Sequence, residues 1–290
     1  MRAARVVERR PLVDSSGRHV RAGSGLAWWG ERLAVVQDDT RSLALVEPRS
    51  GRVDWVPFGG IQADRKADKL DLEALVALGS ELWAFGSGST PRREVIVRVT
   101  PGVGAVPCPV PRFYRALRDD TAFSGSELNL EGAALDGADL VLLQRGNGAP
   151  RAGRSAVNAS ARVRVSELEA HLGEPDSPPP TLRDVRVHPL GTLGGVRLTF
   201  TDAASAGGRL FYLACAEASP DTYRDGVVVG SAIGVLGEGE PVPIEHPGGR
   251  PFTGKAEGLA LASDALAFVV LDADDADTPA DLCTLELLGL

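Results

Sequence analysis

Short apolar runs, separated by glycines and small polar residues, follow one another along almost the whole chain. Runs of this kind predict β-strands joined by tight turns. The runs also repeat as a unit. Five segments open alike: Ser24-Gly25-Leu26-Ala27, Glu73-Ala74-Leu75-Val76, Glu131-Gly132-Ala133-Ala134, Thr201-Asp202-Ala203-Ala204 and Glu257-Gly258-Leu259-Ala260. Nine positions after each opening comes a leucine (Leu33, Leu82, Leu140, Leu210, Leu266) and a second apolar run, with Gly30, Gly79, Gly137, Gly207 or Ser263 in the gap. The openings lie roughly 50–70 residues apart, long enough for a four-stranded unit, since WD and kelch blades take ~40–50 residues.

Each of the first four units parses into four strands, for example Gly25–Trp29, Arg32–Gln37, Ser42–Glu47 and Arg52–Phe58. In the third unit Ser166–Gly173 predicts a short helix with Ser166 as its cap, followed by a proline-rich loop. The fifth unit has three strands, and an extended segment at Ala4–Val13 precedes the first unit. A strand supplied from the N-terminus would complete the last unit and remove two sticky edges. The expected fold is all-β, a single five-bladed β-propeller of four-stranded blades whose ring is closed by an N-terminal strand, with six blades as the alternative. Expected blade boundaries are 20–60, 68–112, 126–190, 195–248 and 252–290, with residues 4–13 as the closing strand.

In a propeller the first strand of each blade lines the central channel, and the second runs back along it. The repeat positions Ser24, Glu73, Glu131, Thr201 or Asp202, and Glu257 are therefore expected around one channel mouth, with small residues after them where the inner strands crowd. The ends of the second strands add Gln37–Asp39 with Asp38, Ser87–Ser89, Gln144–Asn147 with Arg145, Glu217 and Asp272–Asp275 with Asp274. Crowded carboxylates can be reconciled by a hard cation, by basic partners such as Lys69, Arg145 and Lys255, or by protonation. An oxygen-rich set without histidine suits Ca²⁺ or another divalent hard cation better than zinc. The alternative is that these residues only cap strand ends around channel water. Glu73, Glu131 and Glu257 are the candidate metal ligands and Glu131, Glu257 and Arg145 the candidate catalytic groups. Ser24, Asp38, Ser87, Ser89, Gln144, Arg145, Asn147, Asp202, Glu217, Lys255 and Asp272 are the candidate ligand contacts.

Other polar stretches are weaker signals. Gly86–Arg93 reads as a Gly/Ser turn that could cradle an anion through backbone N–H groups. The Asp272–Asp277 cluster lacks the glycine and distal glutamate of an EF-hand loop. Glu217 and Gly226 flank a polar loop with Asp221, Tyr223, Arg224 and Asp225 that is expected over the same mouth. No dinucleotide fingerprint, P-loop or nucleophile elbow occurs, and no organic cofactor is expected.

With 43% hydrophobic residues the 290-residue chain can bury a core. Its net charge of −8 argues against nucleic acid as a partner. The first residues lack the apolar segment of a secretory signal, and no apolar run is long enough to span a membrane. Cys108, Cys215 and Cys283 are unpaired by spacing and expected to be reduced, so the expected location is cytoplasmic. The expected partner is a small molecule at the channel mouth, with a protein partner also open.

The phrases Asp71-Leu-Glu-Ala-Leu75, Gly86-Ser-Gly-Ser89, Asn129-Leu-Glu-Gly132, Gln144-Arg-Gly-Asn147, Phe200-Thr-Asp202, Ala216-Glu217, Lys255-Ala-Glu-Gly258 and Asp272-x-Asp-Asp275 resemble the phytase-like and SdiA-regulated β-propeller group of bacterial proteins. The resemblance spans almost the whole chain and implies a propeller; phytase-like or esterase-like hydrolysis comes with it only as the group's naming chemistry. The Glu-Gly pairs at Glu131 and Glu257 are also similar to the inner-strand motif of the gluconolactonase and regucalcin propellers. There the glutamate is a divalent-metal ligand on a six-bladed ring with one such motif. Two functions follow as expectations: a module binding a small anionic ligand, a divalent cation or both, and a metal-dependent hydrolase of phosphate esters, esters or lactones.

Overall fold

A computed structural model describes residues 2–58, 69–218, 226–275 and 277–290. The expected boundaries at 60 and 68 lie outside the described residues. After β1 (Ala3–Pro11), a first sheet comprises β2 (Gly23–Trp29), β3 (Arg32–Gln37), β4 (Ser42–Val46) and β5 (Val53–Pro57). A second comprises β6 (Leu72–Leu78), β7 (Glu81–Gly86), β8 (Val95–Thr100) and β9 (Gly104–Pro109). Helices α1 (Pro111–Asp119) and α2 (Thr121–Ser124) lead to a third sheet of β10 (Leu130–Asp136), β11 (Asp139–Gln144), β12 (Ala159–Arg164) and β13 (Arg183–Val187), with α3 (Val165–Gly173) inserted before β13. The short β14 (Thr192–Leu193) joins a fourth set of β15 (Val196–Ala206), β16 (Arg209–Ala218), β17 (Val227–Val235) and β18 (Glu238–His246). The short β19 (Arg250–Pro251) pairs with β18 and precedes β20 (Lys255–Ser263), β21 (Leu266–Asp272) and β22 (Asp281–Leu288).

Within each set the strands pair in chain order. The last set takes its fourth strand from the N-terminus: β1 runs antiparallel to β22 from Ala3↔Leu288 to Pro11↔Asp281. It also meets β18 in parallel at Ala4↔Ile244 and Arg5↔Glu245. The first strands β2, β6, β10, β15 and β20 pack each on the next, and β20 packs on β2. Among the described residues no helix is long and apolar enough to cross a membrane.

Alternation along the strands presents an apolar face to each neighbouring sheet. Leu43, Leu75 and Val97 pack between the first and second sheets, and Phe85, Phe113 and Leu142 between the second and third. Phe200, Tyr212 and Val141 fill the next layer, followed by Phe211, Ile233 and Val269. Leu33, Val35 and Phe268 pack between the last set and the first. Each such side chain contributes about 1.5–3 kcal/mol by leaving water. The gap glycines close the β-hairpins: Gly30, Gly79, Gly137 and Gly207 have φ of 63, 61, 61 and 57°, a left-handed conformation that costs glycine little.

The repeat positions have a backbone meaning that the sequence pattern does not convey. In every first strand the ladder slips by one residue at that position, between Gly23 and Gly25, Leu72 and Ala74, Leu130 and Gly132, Phe200 and Asp202, and Ala256 and Gly258. Ser24, Glu73, Glu131, Thr201 and Glu257 are thus the extra residues of five β-bulges, and a bulge re-aims its side chain. The residue after the bulge sits where inner strands nearly touch. A Cβ on Gly132 would lie 3.0 Å from the backbone of Asp202 and Ala203, and one on Gly258 2.9 Å from the Leu26 nitrogen. In the fourth set this place belongs to Asp202, not to Ala203 as the small-residue pattern suggests.

Two further features differ from expectation. Helices α1 and α2 fill the connection between the second and third sheets, where Phe113, Tyr114, Leu117 and Phe123 are fully buried. Helix α3 starts at Val165, and its N-cap Arg164 makes no side-chain capping bond, so Ser166 lies inside the helix.

Candidate functional site

The five bulges and the strand ends beside them bring most of the candidate residues to one end of the molecule. At two bulges the side chain is a hydroxyl that ties neighbouring inner strands together: Ser24 donates to the Leu72 carbonyl, and Thr201 to the Ala256 carbonyl at 2.7 Å. At the other three bulges the side chain is a glutamate, and these three part into two groups.

Glu73 joins Asp38, at the end of β3, and Asp71, just before β6; one oxygen from each lies within 4.8 Å of the others. Lys69 Nζ pairs with Asp38 Oδ2 at 3.2 Å, and Arg93 Nη1 with Asp71 Oδ2 at 2.7 Å. The Ser87 hydroxyl donates to the same Asp71 oxygen at 2.5 Å. Burial pushes Asp38 up to about 6 against the pull of Lys69. Burial also raises Asp71 despite Arg93 and the Ser87 bond. Glu73 is held well above the carboxylate range by burial, then by the charges of Glu131, Asp71 and Asp38.

Glu131 and Glu257 instead converge on Arg145, which is 6% exposed and follows β11. Its guanidinium lies 3.4 Å from Glu131, 3.7 Å from Glu257 and 2.8 Å from Glu217, and its Nε donates to Thr199 at 3.3 Å. Asn129 donates to Glu131 at 2.6 Å and to Asn147 at 3.4 Å. Burial moves Glu131 up to about 8, opposed by Arg145 and reinforced by Glu257. Lys255 Nζ bridges Glu257 at 3.4 Å, Asp272 at 3.2 Å and Asp274 at 2.9 Å. Burial raises Asp274 to about 7. Burial would also raise Asp272, but Lys255 and the Asp274 bonds outweigh it and leave the group below its usual value. Both oxygens of Glu257, a residue 3% exposed, lack a hydrogen-bond partner among the described residues. The two cations near it stand at ion-pair range only, and burial raises its pKa.

Asp202 lies apart from these groups, fully buried between inner strands. Its Oδ2 accepts the Leu259 N–H at 2.7 Å, and the amides of Ala203 and Leu26 also act on the carboxylate. Burial nevertheless raises it well above its usual range. Gln144 has a scaffold position: its carbonyl accepts the Asn129 N–H and its amino group donates to the carbonyls of Glu127 and Arg145. Ser87 and Ser89 bond one another at 2.9 Å. Their loop is braced by α1, whose Tyr114 donates to the Gly86 carbonyl at 2.7 Å and whose Arg118 donates to the Gly88 carbonyl at 3.0 Å. Glu217 accepts the Gly226 N–H at 2.8 Å; Asp221, Tyr223, Arg224 and Asp225 lie outside the described residues.

Asp71 and Asn129 belong to the site but are missing from the candidate contacts read from the sequence, while Arg93 and Asp274 lie in stretches noted there, the Gly86–Arg93 turn and the strand end Asp272–Asp275. A signal for the first two existed. Asp71 and Asn129 precede their bulges by two positions, as Lys255 precedes Glu257.

In architecture the chain is similar to β-propeller-like proteins. It aligns with the glutaminyl cyclase of Myxococcus xanthus at TM-score 0.53 and 10% identity, over 99% of this chain and 98% of that one. It aligns with U3-55K at TM-score 0.50 and 11% identity, over 98% and 100%. The calcium-binding protein regucalcin of Agrobacterium tumefaciens aligns at 0.48 and 13%, over 100% and 96%. At these identities the likeness concerns the fold alone. No curated protein matches the sequence. Residues 19–287 match one family model, described as Family of unknown function (DUF6929), and the chain belongs to that family.

Proposed function

We propose that the chain is a five-bladed propeller, closed by β1, whose carboxylate-rich mouth binds a divalent cation through Asp38, Asp71 and Glu73. The β1–β22 ladder and the packing of β20 on β2 support the blade count and closure. The observation that carries the binding reading is the approach of three carboxylate oxygens to within 4.8 Å of one another at the first two sheets. Oxygen-only ligands suit Ca²⁺ or another hard cation. Carboxylates that burial holds above their usual pKa gain the most from a cation, because ionising them then no longer leaves unbalanced charge. The basic groups of the mouth already pair with carboxylates, so an anionic ligand would be held through the metal. Elemental analysis of the purified protein before and after EDTA tests the reading. The expected result is a stoichiometric divalent metal that EDTA removes and Ca²⁺ restores, with a matching fall and recovery of melting temperature. Protein that carries no metal and gains no stability from added Ca²⁺ or Mg²⁺ excludes it.

A second reading has one observation in its favour. Glu131, pushed up to about 8, lies beside Arg145 and is tuned for proton transfer near neutral pH. A metal-dependent hydrolase of the phytase-like or esterase-like kind would use Glu131 or Glu257 as acid or base and Arg145 to orient them. EDTA-sensitive turnover of phosphate esters, esters or lactones that Glu131→Gln or Glu257→Gln abolishes would establish it; no turnover, or turnover unaffected by both substitutions, would exclude it.

A further inference from the structure

We propose that the cleft between the fourth and fifth sheets is a binding site for a small organic ammonium ion. This site is distinct from Asp38, Asp71 and Glu73 and does not rest on the metal reading. The cleft encloses about 200 Å³ and is lined by Val228, Thr253, Gly254, Lys255, Asp272 and Asp274 among others. That is below the ~300–1,000 Å³ of pockets for drug-sized molecules and suits a compact ligand.

Carboxylates outnumber cations around the cleft: Arg9 also lines it, but its guanidinium is held by Asp281 at 2.6 Å. A lysine ammonium has three N–H donors, and Lys255 faces three carboxylates, Glu257, Asp272 and Asp274. An incoming anion would meet a cation that is already surrounded. One ammonium among three carboxylates leaves the group negative; Arg9 is paired with Asp281, and Arg145 is shared with Glu131 and Glu217. Behind Lys255 lies a buried carboxylate, Glu257, with neither oxygen hydrogen-bonded among the described residues. A site with more carboxylates than cations selects a ligand that brings positive charge and donors. Lys255 itself shows the chemistry: these carboxylates hold an alkylammonium, and a second one would share them. A divalent metal fits less well, because Lys255 occupies the place between the carboxylates. Among the described residues the metal-sized grouping of oxygens is the one at Asp38, Asp71 and Glu73.

The test is calorimetric titration of the full chain in EDTA with putrescine and glucosamine, each against its uncharged counterpart, butane-1,4-diol and glucose. At least one amine is expected to bind while its neutral partner does not. Asp274 is exposed, with φ 51°, a conformation that asparagine tolerates, so Asp274→Asn should fold normally and weaken amine binding about tenfold or more. Asp272→Asn should do the same, and Asp71→Asn should leave amine binding unchanged. Equal binding of amine and neutral partner, absence of binding by both amines, or amine binding indifferent to both Asp274→Asn and Asp272→Asn would overturn the proposal. Calcium binding retained in Asp274→Asn separates this outcome from the fate of the metal reading.

Discussion

The two halves of the carboxylate-rich end of the molecule handle the same problem, glutamates placed on β-bulges, in different ways. Around Glu131 and Glu257 the protein brings its own cations: Arg145 reaches three glutamates from the third, fourth and fifth sets, and Lys255 reaches three carboxylates. Around Glu73 the cations among the described residues, Lys69 and Arg93, pair with Asp38 and Asp71 and leave Glu73 among acids. The first half is an internal salt-bridge network that joins sheets. The second is an incomplete one, which an external cation would complete. A single repeat position therefore yields a structural joint on one side and a candidate metal centre on the other.

Removing the cation of the joint should have the largest effect. Arg145→Met leaves Glu131, Glu217 and Glu257 without their shared partner, and loss of one member of a buried ion pair typically costs about 3–5 kcal/mol. Chemical denaturation should register that loss, while neutralising the unpaired acid of the other half, Glu73→Gln, should leave stability near wild type or raise it. Comparable losses in both would mean that the halves do not differ as described.

The pH dependence of stability sharpens the same contrast. Asp38, Glu131 and Asp274 are raised to about 6, 8 and 7 in the folded protein. A carboxyl with a raised folded pKa keeps its proton when the unfolded chain has released it, so ionisation favours unfolding. Metal-free protein should therefore lose stability as the pH rises from about 4 to about 8. Glu131→Gln should flatten the upper part of that decline, from about 6 to 8, and added Ca²⁺ should flatten the lower part if Asp38 is a ligand. A stability curve that rises across this window would contradict the burial of these acids.

The smallest effect is expected at the hydroxyl bulges. Ser24→Ala removes one side-chain bond to the Leu72 carbonyl, worth about 1 kcal/mol, and should leave metal affinity unchanged. A loss of metal binding in this variant would extend the site to the first bulge.

How far the sequence foretold this arrangement depended on what kind of contact each part uses. The five repeats, the gap glycines and the early strand Ala3–Pro11 are local patterns, and they announce sheets of four strands directly. Helix α1 was hidden because its buried Phe113, Tyr114 and Leu117 cover only two turns, too little periodicity to stand out. The bulges were legible as a repeat but not as a ladder slip, since register depends on the partner strand. Asp71 and Asn129 could have been found by stepping two residues back from each glutamate. The division between Glu73 and the Glu131–Glu257 pair could not, because it follows from Arg145 reaching across three sets of strands, a distance that no local pattern encodes.

The most direct measurement is calorimetric titration of Ca²⁺ into metal-stripped protein, comparing wild type with Glu73→Gln and Glu257→Gln. An ion held by Asp38, Asp71 and Glu73 predicts binding that Glu73→Gln weakens at least about tenfold, since charge count sets the affinity of oxygen sites, and that Glu257→Gln retains. Binding kept in Glu73→Gln and lost in Glu257→Gln would place the ion in the half of the mouth that Arg145 and Lys255 occupy, and would contradict the division drawn between the two.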